Sequence, residues 1–188
     1  EKRENKDDIE IVRGLINKAI ELDDNLIAAK LLLGRTYCDM GDYDKAMEIF
    51  TFALKQSEEL GDRRVMATSL VNIGAVYAEK GDYDKALDYY ERSIAIQGEI
   101  GDKRGMGISL NNIGNVHLYK GDLDTAIDYY NRSLAIKEEL GDKRGMGGSL
   151  NNIGLVHWNK GDYDKALDYY GRSLAIAEEL GDKLVMGH

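Results

Sequence analysis

The sequence lacks proline altogether and contains a single cysteine, Cys38, among its 188 residues. A lone cysteine cannot form an internal disulfide, so nothing favours a secreted scaffold held together by disulfides. No apolar run approaches the roughly 18 residues that a membrane-spanning helix needs, which excludes a transmembrane chain. The first residues also lack the apolar segment of a signal peptide. We therefore expect a cytoplasmic protein with no membrane partner.

Positive charge is scarce as well. The chain has 25 basic against 34 acidic residues and a net charge of −9 at pH 7, which weighs against nucleic acid as a partner. The apolar fraction of 43% is too high for a disordered chain. The length suits one good-sized domain over residues 1–188. The missing initiator methionine suggests a fragment of a longer protein.

The sequence is highly repetitive. The pair Gly-Asp recurs with a 40-residue period at 41–42, 81–82, 121–122 and 161–162. A second series of Gly-Asp pairs divides each period into halves of twenty, and residues 101–114 and 141–154 are near-copies. Periods of this size are typical of solenoid proteins. The predicted repeats are 25–62, 63–102, 103–142 and 143–182, with a partial leading helix at 8–21 and a truncated trailing helix at 183–188.

Each half-period predicts one helix. Asp82 suits an N-cap, and Ala86, Tyr90 and Ile94 follow with helical spacing. Gly101 suits the left-handed residue that ends this helix. Glycines near the start of the following half-period cost up to about 1 kcal/mol each, so packing must hold that turn. The predicted helices are 8–21, 25–40, 43–60, 63–80, 83–100, 103–120, 123–140, 143–160 and 163–180.

Seven positions recur in order through the four repeats. In the third repeat they are Leu110, Ile113, Gly114, His117, Ala126, Tyr130 and Ser133. With this pattern the chain resembles the tetratricopeptide repeat family. The 40-residue period, without the proline that usually ends the second helix, is similar to the variant in Pins/LGN-type adaptors and in bacterial and archaeal signalling proteins. The resemblance implies an all-α, right-handed α-solenoid of antiparallel helix pairs.

The repeated small residues have a packing reason of their own. Gly114 removes a side chain where two helices cross, and Tyr130 fills the space that the small residues leave. A single helix pair cannot bury its apolar face alone, so neighbouring repeats must supply the core.

The resemblance also implies a concave groove lined by the first helix of each repeat. An asparagine amide offers a donor and an acceptor to the backbone of an extended peptide. For Asn72, Asn112 and Asn152 the alternative is that they satisfy backbone groups between repeats, and for Trp158 that it packs on the next loop. The candidate partner-binding residues are Arg35, Asn72, Asn111, Asn112, Asn115, Tyr119, Asn151, Asn152, Leu155 and Trp158.

Two further features favour structural explanations. Basic pairs such as Lys103-Arg104 open the first helices and could attract an acidic partner, but we expect them to pair with glutamates of the preceding turns. His117 and His157 lie one period apart, at a helix-packing distance of about 8–10 Å, which is too far for a shared metal. We predict no metal, no cofactor and no catalytic residue.

The sequence thus favours a non-enzymatic module that binds a protein or peptide segment. The alternatives are an intramolecular regulatory domain of a larger signalling protein and a self-assembling structural repeat. Members of the family that clamp a carboxyl terminus use Lys or Arg at the positions of Ile108 and Asn111, so we expect no such clamp here. Weak self-association through the C-terminal end is also expected, with Leu167, Tyr170, Leu174 and Ala177 partly uncovered.

Overall fold

The computed structural model describes residues 11, 14, 15, 18 and 26–181. Within 26–181 every regular element is an α-helix, and no bound differs from its prediction by more than two residues. The four described residues of the predicted helix 8–21 are helical, whereas its remainder and residues 183–188 lie outside the described part. The helices are α1 (Ile27–Asp39), α2 (Tyr43–Leu60), α3 (Arg63–Glu79), α4 (Tyr83–Glu99), α5 (Lys103–Lys120), α6 (Leu123–Glu139), α7 (Lys143–Asn159) and α8 (Tyr163–Glu179).

The recurring Gly-Asp pairs separate these helices as predicted. Asp62 accepts hydrogen bonds from the Arg64 and Val65 amides, which satisfies two N–H groups that the first turn leaves without partners. Asp82 accepts from the Lys85 amide in the same way, at 3.4 Å. Each glycine of the pairs has a positive φ, 68° at Gly101, which the other residues rarely adopt. One helix therefore ends and the next begins at each Gly-Asp pair, every twenty residues.

The chain divides into two compact units, residues 1–96 and 97–188, with the boundary inside α4. In the first unit α2 packs against both α1 and α3. Its core centres on Phe50, Ile73 and Val76. In the second unit α6 packs between α5 and α7, and α8 packs against α7. Tyr130 and Ile153 lie at the centre of that core.

In each repeat, a glycine of the first helix lies against an aromatic ring of the second helix where the two helices cross. A Cβ atom built on Gly114 would lie 2.6 Å from Cε1 of Tyr130, whose side chain is fully buried. The same relation joins Gly74 to Tyr90 in the first unit and Gly154 to Tyr170 in the second. The predicted packing role of glycine and tyrosine is therefore confirmed.

In the last three repeats, a serine fastens the second helix to the first helix of its own repeat, whereas Ala53 holds this position in the first repeat. The Ser133 hydroxyl donates to the Gly107 carbonyl at 2.7 Å, and Ser93 and Ser173 make the same bond one repeat to either side. Each bond spans 26 residues, so it fixes the register of the two helices. Among the described residues, no helix combines the length and the apolar character that crossing a bilayer would require.

Candidate functional site

In the second unit, two of the candidate amides bind each other. The Asn152 side-chain nitrogen donates to the Asn111 side-chain oxygen at 3.1 Å, which joins α7 to α5. Asn115 accepts a hydrogen bond from the Tyr130 hydroxyl at 2.7 Å. Each bond uses one part of an amide that can make several hydrogen bonds, so it orients the amide and leaves it further capacity. Asn111 and Asn115 are half-buried, and Asn151 is exposed beside them.

In the first unit, the corresponding amide has no such support. The Asn72 side-chain nitrogen is buried and has no hydrogen-bond partner among the described residues. Its position matches that of Asn152, and the position matching Asn111 holds Leu31, which offers no acceptor. Buried polar groups without partners are rare and call for an explanation. The role of Asn72, with a backbone partner between repeats or a ligand as the alternatives, stays a prediction.

The apolar part of the candidate set lies at the far end of α7. Trp158 touches the ring of Tyr163 edge-on, with centroids 5.0 Å apart, at the start of α8. It nevertheless stays 53% exposed. Leu155, one turn earlier, is exposed, and so is Tyr119 at the end of α5. Trp158 thus packs on the next helix start and still presents most of its ring.

Two candidates remain. Asn112 is half-buried on α5, and Arg35 is exposed on α1 in the first unit. Their assignment to a binding surface stays a prediction.

The lysines and the arginines of the basic pairs at the helix starts have different surroundings. Lys103 forms an ion pair with Glu139, and Lys143 forms one with Glu179. Glutamates were the expected partners, but for these two lysines they lie in the second helix of the same repeat, 36 residues later, and not in the preceding turn. The reason is geometric, since the end of a second helix returns to the start of its own first helix.

Two arginines of these pairs line a cavity. Arg104 and Arg144 line an open cavity of about 380 Å³ together with Lys137 of α6 and the apolar Ile108 and Leu140. The Lys137 ammonium donates to the Ser149 hydroxyl at 2.8 Å. Burial lowers the pKa of Lys137 below its ordinary value, because removing water disfavours the charged form.

The histidines have structural surroundings. The His117 ring stacks on Tyr129, and the His157 ring stacks on Tyr169, with centroids 5.4 Å apart in both pairs. Tyr77 makes the same stack in the first unit, so the histidines occupy a repeated packing position. Among the described residues, no group of three or more metal-ligating side chains is close enough to hold an ion.

Cys38 is half-buried on α1 and poorly disposed to act as a nucleophile. Burial, together with the charges of Asp39 and Glu79, raises the pKa of its thiol to about 11.

The face of α8 is partly exposed as expected, with one exception. Leu167 is 65% exposed and Leu174 is also exposed, whereas Ala177 is buried at 7%. The expectation was therefore wrong for Ala177, whose small side chain lies beneath its neighbours. A second cavity of about 290 Å³ lies here, lined in part by Gly147, Gly148, Ile176 and Leu180.

Sequence reasoning missed Lys137 and Tyr163. A signal existed, because the same position holds Ser57, Gln97 and Ala177 in the other repeats, and Lys137 is its only charged residue. Tyr163 carried no comparable signal, because tyrosine or leucine starts every second helix.

Comparison with known proteins agrees with the repeat pattern. A profile described as "Tetratricopeptide repeat" matches residues 26–99, 65–139 and 105–179. No curated protein sequence matches the chain significantly.

Solved structures share the fold at low identity. BtubC (BKLC) from P. vanneervenii is 23% identical, with a TM-score of 0.76 over 96% of this chain and 77% of its own. MamA is 22% identical, with a TM-score of 0.60 over 96% of this chain and 95% of its own. The Rap conjugation gene regulator of plasmid pLS20, in complex with the Phr* peptide, is 16% identical, with a TM-score of 0.83 over 95% of this chain and 50% of its own. The predicted all-α fold, built of helix pairs as in tetratricopeptide repeat proteins, is confirmed.

Proposed function

Since the chain belongs to the tetratricopeptide repeat family, we propose that it binds an extended segment of another protein along the first helices of its repeats. The observation that carries the proposal is the set of oriented amides on α5 and α7. Asn111 and Asn115 are each held by one hydrogen bond, and Asn151 is exposed on the adjoining helix. Preorganised amides suit the binding of a peptide backbone because little side-chain freedom is lost on association.

The apolar residues next to the amides supply the affinity in this proposal. Trp158 and Leu155 are exposed on α7. Tryptophan is enriched among the residues that dominate binding energy, because it buries a large surface at a small entropic cost. In the first unit, we propose as contacts the Asn72 amide, whose nitrogen has no hydrogen-bond partner among the described residues, and the exposed Arg35.

Comparison with the Rap regulator supports a peptide as the partner. That protein, which shares the fold, is described in complex with the Phr* peptide. The proposal assigns this chain a scaffold role, with no reaction, metal or cofactor. It also places the chain in the cytoplasm, which its lone, half-buried Cys38 suits.

The test is a selection of linear peptides from a phage-displayed library, followed by affinity measurements on the selected peptide. The double variant Asn111→Ala/Asn151→Ala removes two amides and keeps the Asn115–Tyr130 hydrogen bond. We expect its Kd to rise at least tenfold, since each lost hydrogen bond is worth about 1 kcal/mol. Asn131→Ala is the matched control, because Asn131 is an exposed amide on α6.

Three results count against the proposal. They are the absence of any selected peptide, a Kd that the double variant leaves unchanged, and an equal loss in the Asn131→Ala control. Circular dichroism of each variant shows whether it is folded.

A second candidate function is self-association through α8. Leu167 is 65% exposed, whereas its counterpart Ile127 on α6 is half-buried. Covering such leucines contributes about 25 cal/mol per Å² before the cost of association. Sedimentation velocity at rising concentration tests this, and Leu167→Glu should abolish any dimer. A strict monomer at millimolar concentration would contradict it.

A further inference from the structure

The cavity beside Arg104 is strongly cationic for a chain of net charge −9. Its lining includes Arg104, Lys137 and Arg144, with Asp142 as the single acidic member. Asp142 also caps α7, since its carboxylate accepts the Gly145 amide at 3.0 Å. The lining therefore carries three positive charges and one negative charge, and the Asp142 charge acts on Lys137 by raising its pKa against the larger effect of burial.

Lys137 is fixed rather than mobile in this cavity. Its ammonium donates to Ser149, whose oxygen lies 3.4 Å from that of Ser133, and Ser133 in turn donates to the Gly107 carbonyl. Because the ammonium can only donate and Ser133 donates to a carbonyl, Ser149 donates to Ser133. This chain of bonds uses one of the three ammonium hydrogens and holds the charge at the cavity wall.

The fold does not need a charge at this position. One repeat earlier, Gln97 occupies it and its side-chain oxygen accepts a hydrogen bond from the Ser109 hydroxyl at 3.0 Å, whereas Lys137 donates to Ser149. A neutral side chain thus satisfies the same buried serine. The half-buried charge of Lys137 costs desolvation, which lowers its pKa, and the neutral glutamine avoids that cost. A carboxylate in the cavity would offset it.

We infer that the cavity binds an Asp or Glu side chain of the bound segment, with a neighbouring apolar residue packed on Ile108 and Leu140. Charge complementarity is the argument for this occupant, since arginine forks pair with carboxylates in a bidentate manner. Ile108 and Leu140 are both exposed, so apolar surface adjoins the charges. This inference rests on the proposed function.

The cavity continues the amide face along α5. Arg104, Ile108 and Asn111 follow one another at intervals of four and three residues, which places them on one side of the helix. A segment that reaches Asn111 can therefore place its next side chains at the cavity. The carboxylate is internal to the segment, so no free carboxyl terminus is required.

The test uses peptides displayed through their C-termini, which leaves them no free terminal carboxylate. A selected peptide is then synthesised with an amidated end, alongside the same peptide with its acidic residue changed to the amide. Kd is measured by fluorescence anisotropy on the intact chain and on Lys137→Gln, which imitates Gln97. Lys103→Gln is the matched control, since it removes one positive charge that pairs with Glu139 outside the cavity.

We expect the selected peptides to contain an acidic residue beside an apolar one. Lys137→Gln should raise Kd about tenfold, or about 1.4 kcal/mol, and Lys103→Gln less than twofold. For the amide peptide, Lys137→Gln should have no effect. The difference between the two peptides should shrink at high salt.

Each failure has its own meaning. Selected peptides without an acidic residue, or an acid preference that Lys137→Gln leaves intact, overturn this inference and leave the proposed function standing. Capped glutamate that competes as well as the whole peptide also overturns it, because the site would then take free carboxylates. If no peptide is selected, both proposals are wrong. Urea unfolding of Lys137→Gln verifies that the variant is folded.

Discussion

The contact of Gly114 with Tyr130 gives the sharpest stability prediction. In Gly114→Ala the new Cβ would lie 2.6 Å from Cε1 and 2.7 Å from Cδ1 of the Tyr130 ring. Carbon atoms normally approach no closer than about 3.5 Å, so the ring must move by nearly an ångström. Tyr130 is 0% exposed, and its hydroxyl is bound to Asn115 at 2.7 Å. The ring has no free space and is tied at its far end.

The magnitude follows from three effects. Overpacking of a core costs about 1–3 kcal/mol, and this site belongs near the upper end. Loss of the Tyr130–Asn115 hydrogen bond costs about 1 kcal/mol more. Alanine regains about 1 kcal/mol of helix propensity. We expect Gly114→Ala to lower the free energy of unfolding by about 3 kcal/mol.

Gly154→Ala is the matched comparison one repeat later. Its Cβ would lie 2.8 Å from Cε1 of Tyr170, but Tyr170 is only half-buried and its ring can tilt towards solvent. We expect a change of about 1 kcal/mol or less. Urea unfolding followed by circular dichroism measures both variants. If Gly114→Ala is no more destabilising than Gly154→Ala, burial of the ring does not decide the cost, and the reasoning is wrong.

Three further predictions use other sites. Gly148→Ala on α7 meets nothing within 4 Å, so the free energy of unfolding in urea should rise by up to about 1 kcal/mol, and a loss would contradict the geometry. Iodoacetamide should alkylate Cys38 near neutral pH roughly a hundredfold more slowly than a free thiol, with a rate that climbs towards pH 11, and rapid alkylation would show that the thiol is not buried. The pKa of Asp82 is lowered by its bond to the Lys85 side chain, so its contribution to stability is present above pH 4 and lost as the pH falls through its folded value. Asp82→Asn keeps a capping oxygen but cannot titrate, so the urea midpoint should fall less between pH 5 and 3 than in the unchanged chain, and equal slopes would contradict this.

The helices were predictable because the signals that end them are local. Aspartate caps and left-handed glycines act within a few residues, and they recur at every boundary. The role of Gly114 was also predictable, since a glycine in a helix interior weakens the helix unless something packs against it. The family pattern then placed Tyr130 opposite.

The contacts of the candidate site were less predictable, because they join residues one repeat apart. The bond between Asn152 and Asn111 depends on how closely α7 approaches α5, which no local pattern specifies. The pairing of Lys103 with Glu139 was missed because it joins the two ends of one repeat, 36 residues apart, which no local pattern specifies either. Periodicity predicts which residues share a face, and packing determines which of them touch.

The central claim, that the first helices bind a peptide segment, is tested most directly by nuclear magnetic resonance of the chain saturated with a selected peptide. The chain has one tryptophan, so its indole N–H gives a single assignable signal. We predict the largest shifts at the Trp158 indole and at the side-chain amides of Asn111, Asn115 and Asn151. Shifts confined to outward residues of the second helices, such as Asn131 and Arg172, with the Trp158 signal unmoved, would contradict the account.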